Sequence, residues 1–320
     1  MPKNHGMLIR EVLVALRGPR SQETLNRKLK TKSNQVARWE SGHASIDWSS
    51  FREVCKATKA PLAAALKKHL FYEGDLEDVQ RLMDFFSGFS PQKKLAAKLG
   101  LSVSQISRIS SGKSPMSVDF FFRLVELSPY SLTDFIAALT QPNLPPLIVQ
   151  EMQRTEKEKN FHYSHPWVAA LLLHLRTKEY TSLKNHSHLF LAQKLGQSEQ
   201  DIALALKTLE DLQIVEKKNG LYVSELRHLS TGGSFEGALS IRKYWLKKFL
   251  SWLDGAQPGQ THFYGYKVFN VHESHRAKFE DFYFRMNNEL DALIKEQPSE
   301  ASDKVYVFSF QMREAAETPG

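Results

Sequence analysis

The side chains of this chain with the clearest capacity for chemistry are cations gathered at one end. Residues 1–70 carry 14 Lys and Arg against 5 Asp and Glu, residues 71–140 carry 7 against 8, and residues 141–320 carry 22 against 22. A local excess of this kind makes a site for a polyanion, nucleic acid first. The competing reading is charge kept for solubility. The other reactive groups do not assemble. His162, His165, His174, His186, His188, His262, His272 and His275 invite a metal, but no HExxH occurs and His186 and His188 are not one helical turn apart. Neighbouring carboxylates such as Glu280-Asp281 read as the solvent face of a helix. No phosphate-binding loop, GxGxxG or GxSxG occurs. The expectation is a protein that is not an enzyme and uses neither cofactor nor metal.

The elements that would position the cations emerge from a repeat. Residues 21–42 align without a gap on residues 91–112. Gln22 meets Gln92, Leu25 meets Leu95, Lys28 meets Lys98, Leu29 meets Leu99, Gln35 meets Gln105 and Arg38 meets Arg108, and Ser41-Gly42 meets Ser111-Gly112. Leu25 and Leu29 share one helix face, and Val36 opens the apolar face of a second helix. Lys30-Thr31-Lys32 lies between them as a short polar turn. Ser33 can cap the second helix and Gly42 can end it in a left-handed conformation. In the second copy Gly100 occupies the turn, Ser102 or Ser104 is the cap, and Gly112 is the stop. Two short helices joined by a tight turn form a helix-turn-helix.

Residues 8–70 resemble the lambda-repressor type of helix-turn-helix domain, the Cro/C1 or XRE type. The resemblance rests on Ser21-Gln22-Glu23, Leu25, Leu29, Val36 and Arg38-Trp39-Glu40-Ser41-Gly42. Residues 80–139 resemble the same fold more weakly. The first copy departs from the pattern at Asn26 and Lys30, where a small residue and a glycine are usual. Asn26 is expected to crowd the helix–helix contact, and Lys30 must tolerate a strained turn.

The resemblance implies roles. Gln22 would bind phosphate at a helix N-terminus. Ser33, Asn34 and Gln35 would face bases, where Asn or Gln can bond adenine in a bidentate way. Arg38 and Lys32 would grip phosphates or a guanine. Gln92, Ser104, Gln105 and Arg108 are the equivalents in the second copy. Lys93, Lys94, Lys98 and Lys113 add charge, in a stretch (91–113) that holds no acid. For each residue the alternative is a solvated polar face. Leu25, Leu29, Val36, Leu95, Leu99 and Ile106 are expected in cores, and Trp39 as packing.

Pro142, Pro145 and Pro146 mark a break, and the charged stretch Glu151 to Lys159 reads as a linker or a short helix. Further on, His165 to Lys178, Leu189 to Gly196 and a helix capped by Ser198 and running to about Leu212 precede a hairpin turned by Asn219-Gly220. Three helices and a hairpin form a winged helix. Glu199 and Asp201 at the start of its third helix would meet DNA with the wrong sign, although Lys217 and Lys218 in the wing would not. A structural or dimerising winged helix is therefore expected. Beyond it the pattern predicts helices over Leu239–Trp252 and Glu273–Lys295, and strands over His262–Val271 and Val305–Met312. The long helix would carry Phe279, Phe282, Met286, Leu290 and Leu293 on its apolar face.

From about residue 80 to 313 the chain resembles a family of uncharacterised bacterial regulators. That family couples a helix-turn-helix to a C-terminal domain of unknown function. The carrying residues are Leu209 to Glu216, Gly220-Leu221-Tyr222, Arg227 to Gly232, Ala238 to Arg242 and Asp303 to Gln311.

At 320 residues, with a net charge of +8, a pI near 9.3 and 42% hydrophobic residues, the chain can build several cores. Cys55 is its only cysteine, which excludes a disulfide scaffold and a cysteine-built metal site. The opening residues form no apolar leader, and the run Val168 to Leu173 is too short to span a bilayer. The expected fold is mainly α with a smaller α+β part. It divides into helix-turn-helix domains at 1–70 and 71–140, a linker at 141–160, a winged helix at 161–228 and an α+β domain at 229–320. The expected function is a cytoplasmic, nucleoid-associated, sequence-specific regulator of transcription that binds double-stranded DNA. Its C-terminal half would serve dimerisation or signal sensing, through a second copy of the chain, an effector or a protein partner, and no membrane is involved. The alternative is a protein-interaction scaffold whose helix-turn-helix folds bind a protein.

Overall fold

The computed structural model describes residues 5–31, 34–88, 92–128, 130–224, 234–255, 276–296 and 303–308. It is mainly helical, with one two-stranded sheet among the described residues. No described helix is long and apolar enough to cross a membrane. The chain forms two compact units, Met1–Thr155 and Glu156–Gly320.

The first unit is a repeat of five helices. The first copy comprises α1 (His5–Arg17), α2 (Gln22–Leu29), α3 (Gln35–Ser41), α4 (Trp48–Thr58) and α5 (Leu62–Leu70). The second comprises α6 (Val79–Ser87), α7 (Gln92–Leu99), α8 (Val103–Ser110), α9 (Val118–Leu127) and α10 (Leu132–Thr140). α2 maps onto α7, and α5 onto α10, by a shift of 70 residues at both ends. The repeat therefore covers far more than the matched polar stretch. Its caps repeat too: Asp47 accepts the Ser50 N–H at 2.7 Å, and Ser117, 70 residues on, accepts that of Phe120 at 3.1 Å. Packing follows the same rule, with α1 on α3 in the first copy and α6 on α8 in the second.

The two copies share one hydrophobic core, which runs from Leu8 to Ile148. Trp48 meets Phe121 with ring centroids 4.5 Å apart, Phe51 meets Phe122 at 6.4 Å, and Phe121 meets Phe135 at 5.9 Å. Each of these rings is buried, and each contributes about 1.5–3 kcal/mol relative to exposure. A copy of this size buries too little surface to be robust alone, so the apolar faces of α4 and α9 cover each other. Cys55 lies inside this core, and burial pushes its thiol up to about 12, leaving it protonated and inert at neutral pH.

Residues expected as a linker instead enter α11 (Pro146–Ser164), with proline at the first helical position where it is tolerated. Glu11 accepts the Leu147 N–H at 2.8 Å, and Ile148 is buried in the first core. The division between the two units falls within this helix.

In the second unit, α12 (Val168–His174), α13 (Lys178–Thr181), α14 (His188–Leu195) and α15 (Glu199–Asp211) lead into an antiparallel hairpin, β1 (Val215–Lys218) and β2 (Leu221–Ser224). Asn219 and Gly220 take φ of 49° and 81°, the two left-handed residues that a tight two-residue hairpin turn requires. Trp167, Leu171, Tyr180, Leu191, Ile202, Leu206 and Val215 belong to its core.

Next come α16 (Phe235–Asp254) and α17 (Arg276–Glu296). On α17, Met286 and Leu290 of the expected apolar face are half-buried, but Phe282 and Leu293 are exposed. The expected strand at 262–271 lies outside the described residues. Over 305–308, where a strand is also expected, the backbone forms none and Tyr306 is 79% exposed. Alternating aromatic residues make a strand only where a second strand completes the ladder, and no described strand lies beside them.

Candidate nucleic-acid interface

In the first copy, Ser21 caps α2 by accepting the Thr24 N–H at 3.1 Å. The tight turn that follows places Lys30 at φ 52° and ψ 33°, the left-handed conformation at which the second copy uses Gly100, φ 66°. A side chain there costs roughly 1–2 kcal/mol of backbone strain. Asn26 does not crowd the helix pair. It is 3% exposed, and its Oδ1 accepts the Val36 N–H and the Thr31 hydroxyl, each at 3.0 Å. The amide therefore fastens the turn to the first turn of α3, which Ala96 at the equivalent place in the second copy cannot do.

The starts of α3 and α8 differ. Asn34 occupies the cap position of α3 and makes no side-chain cap bond. Ser33 and Lys32 lie outside the described residues. Asn34 and Arg38 are exposed, Gln35 is half-buried, and Val36 and Trp39 are buried. In the second copy Ser102 and Gln105 form a reciprocal capping box. The Ser102 hydroxyl accepts the Gln105 N–H at 3.2 Å, while Gln105 Oε1 accepts the Ser102 N–H at 2.8 Å. Ser104 Oγ lies 2.9 Å from the Ser102 hydroxyl. A bidentate grip on adenine needs both ends of an amide, so Gln105 would first have to open its own cap. Among the described residues Gln35 has no such commitment.

Arg38 and Arg108 are held alike. Their carbonyls accept the N–H groups of Ala44 and Ser114 at 3.1 and 3.0 Å, and the hydroxyls of Ser41 and Ser111 at 3.3 Å each. Both side chains are exposed, and among the described residues neither has an acidic partner. Lys28, Lys30, Lys93, Lys94, Lys98 and Lys113 are exposed around them. The side-chain placement of Gln92 lies outside the described residues, although its backbone begins α7.

Gln22, expected at a phosphate, is half-buried and donates from Nε2 to Glu40 at 2.6 Å. The same carboxylate receives Arg17 in a two-pronged bond, Nε at 2.6 Å and Nη2 at 3.2 Å. The exposed face of the first copy thus rests on a Gln22–Glu40–Arg17 network that sequence reasoning missed. Its signal was Glu40, the only acid in the sequence between Glu23 and Asp47. The seam between the copies was also missed. Its signal was the continuation of the repeat as apolar pairs, Ile46 with Met116 and Phe51 with Phe121.

The second unit offers a weaker surface for a polyanion. Ser198 caps α15, whose first turn carries the exposed Glu199 and Asp201. On the hairpin, Lys218 pairs with Glu216, and Lys217 sits 5.8 Å over the ring of Tyr222. Behind the hairpin the Tyr180 hydroxyl accepts the Tyr222 N–H at 2.9 Å and is hydrogen-bonded to His186 Nδ1, also at 2.9 Å. Burial, with His188 and Lys217 nearby, lowers His186 to about 4 and keeps the ring neutral. Among the described residues no three His, Cys, Asp or Glu side chains are placed to hold a metal ion.

No family model, curated protein or solved structure matches the chain.

Proposed function

We propose that the chain is a sequence-specific regulator of transcription that binds double-stranded DNA through two tandem helix-turn-helix domains of the XRE type. α3 and α8 serve as recognition helices. α12 to β2 form a winged helix that is structural or dimerising, and the C-terminal helices serve dimerisation or signal sensing. The observation that carries this reading is the pair Arg38 and Arg108. Each is exposed and, among the described residues, free of acidic partners, at the same place on the second helix of a helix–turn–helix pair, in the half of the chain that holds the positive excess. Asn34 and Gln35 stand ready at the start of α3 for base edges. Phosphate contacts supply affinity and salt dependence, and the amides supply discrimination.

The test is fluorescence anisotropy on duplexes selected from a random pool. Arg38→Ala is expected to weaken binding by about 1–3 kcal/mol if the side chain reads a base. If it grips a phosphate, the slope of log affinity against log salt falls by about one unit. Wild-type binding by Arg38→Ala at several salt concentrations would refute the role of α3.

A second reading, a protein-interaction scaffold, draws on Gln22 and Gln105, whose side chains are already engaged within the protein. It predicts that micromolar protein does not shift random DNA at low salt.

A further inference from the structure

The contact between the two copies is reciprocal. The Trp48 N–H donates to the Met116 carbonyl at 2.7 Å, and the Val118 N–H donates to the Ile46 carbonyl at 3.0 Å. Shifting every residue of the first bond by 70, and exchanging the copies, produces the second. Between them Asp47 and Ser117, the paired helix caps, form an antiparallel bridge. The equivalent helices α5 and α10 pack on each other, as do α4 and α9. An interface in which residue i meets the partner of j, and j meets the partner of i, is the signature of a twofold axis. Here both halves of that interface belong to one chain.

We infer that residues 5–140 form a built-in dimer, in which a single chain presents two unequal recognition helices to the two half-sites of one duplex. This rests on the DNA-binding reading above. Duplex DNA has local twofold axes of its own, so a twofold pair of recognition helices fits an inverted repeat. In a dimer of identical chains the half-sites would match. Here they match where the copies keep the same exposed side chain, as at Arg38 and Arg108. They diverge at the helix starts, where the side chains of Asn34 and Gln35 are uncommitted among the described residues while Gln105 is held in a capping box with Ser102. The operator is thus a lopsided inverted repeat. Its first half is read by amides and held by most of the positive charge, and its second half is held mainly through Arg108 and the lysines of α7.

The experiment is hydroxyl-radical footprinting of the full chain, with its Arg38→Ala and Arg108→Ala variants, on duplexes selected from a random pool by the wild type. Both arginines are exposed, and unchanged thermal melts would establish that the variants fold. The expected wild-type pattern is two protected patches about one helical turn apart. Arg38→Ala should erase one patch and Arg108→Ala the other, each with a loss of affinity of about tenfold. If Arg38→Ala weakens both patches equally while Arg108→Ala changes neither, two chains are using α3 alone and the built-in dimer is wrong. If the wild type binds no duplex at low salt, the DNA-binding reading falls and the inference falls with it.

Discussion

The turn between α2 and α3 and the turn between α7 and α8 solve one geometric problem with different residues. The second copy solves it cheaply, with a glycine at the left-handed position, an alanine between the helices and a reciprocal cap on α8. The first copy accepts a strained lysine, a buried asparagine and a helix whose cap makes no side-chain bond. Its compensation comes from Asn26 and from the Glu40 network. The difference teaches where polar groups are kept available. In the second copy the Gln105 amide is used by the helix itself, whereas in the first Asn34 is exposed at the helix start and makes no cap bond, beside the larger positive charge. One copy is arranged for stability and the other for reading.

The strongest challenge to this contrast is to ask whether the copies are separate at all. Phe121 is fully buried and meets Trp48 across the seam. Phe121→Ala is expected to cost about 3–5 kcal/mol. Hydrogen exchange should then show α3 and α8 losing protection together. Loss confined to α8 would mean that the copies unfold independently and share the core only in a geometric sense.

Next in size is a paired substitution at equivalent glutamines. Gln35→Ala is expected to weaken DNA binding by about 1–3 kcal/mol with little change in the melting temperature. Gln105→Ala should lower stability by about 1 kcal/mol, through loss of the capping box, and change binding less. Binding titrations and urea melts of the two variants check the pair. Equal losses of affinity would erase the division between a reading copy and a stable copy.

The turns themselves predict opposite effects of smaller size. Gly100→Ala puts a side chain into a left-handed conformation with nothing within 4 Å of its Cβ. The cost is then backbone strain alone, about 1 kcal/mol. Lys30→Gly should stabilise by less than that, because glycine also gains freedom in the unfolded chain. Urea midpoints of both variants measure the difference. No gain from Lys30→Gly would show that the Asn26 network already absorbs the strain.

The repeat was legible where polar residues recur, since Gln, Arg, Ser and Gly at turns and caps are used for particular bonds and do not substitute freely. It faded in the core, where Ile46 and Met116, or Val36 and Ile106, fill equivalent space without being identical. The polar seam bonds could not be read at all, because main-chain donors carry no residue signature. Local signals in the second unit, Ser198 at a cap and Asn219-Gly220 at a turn, named their structures correctly. The alternation at 305–308 did not, because a strand depends on a distant partner and not on its own period. At the candidate site, Arg38 and Arg108 emerged as exposed pairs. Gln22 and Gln105 did not remain free: Gln22 donates to the Glu40 carboxylate and Gln105 accepts the Ser102 N–H, so each amide is used within the fold.

The smallest expected effect concerns pH, and it separates the two units. His5 on α1 bonds Glu126 on α9 at 2.8 Å, so this contact ties the first copy to the second. The bond to Glu126 raises the imidazole above its ordinary 6.5 against the opposing effect of burial, and Asp119 adds to the rise while Arg123 opposes it. The folded chain therefore keeps a proton that the unfolded chain has released. The seam contact is at full strength below about 6.5 and weakens as pH rises through the raised value. His186 runs the other way. Lowered to about 4, it stays neutral where the unfolded chain is protonated, so its contribution is whole above 6.5 and is lost as pH falls through 4. Hydrogen exchange across this range should show α1 and α9 loosening toward alkaline pH and the hairpin β1–β2 loosening toward acid. His5→Gln should flatten the first trend and leave the second intact. If the alkaline loosening of α9 survives His5→Gln, the proton that holds the copies together resides on another group.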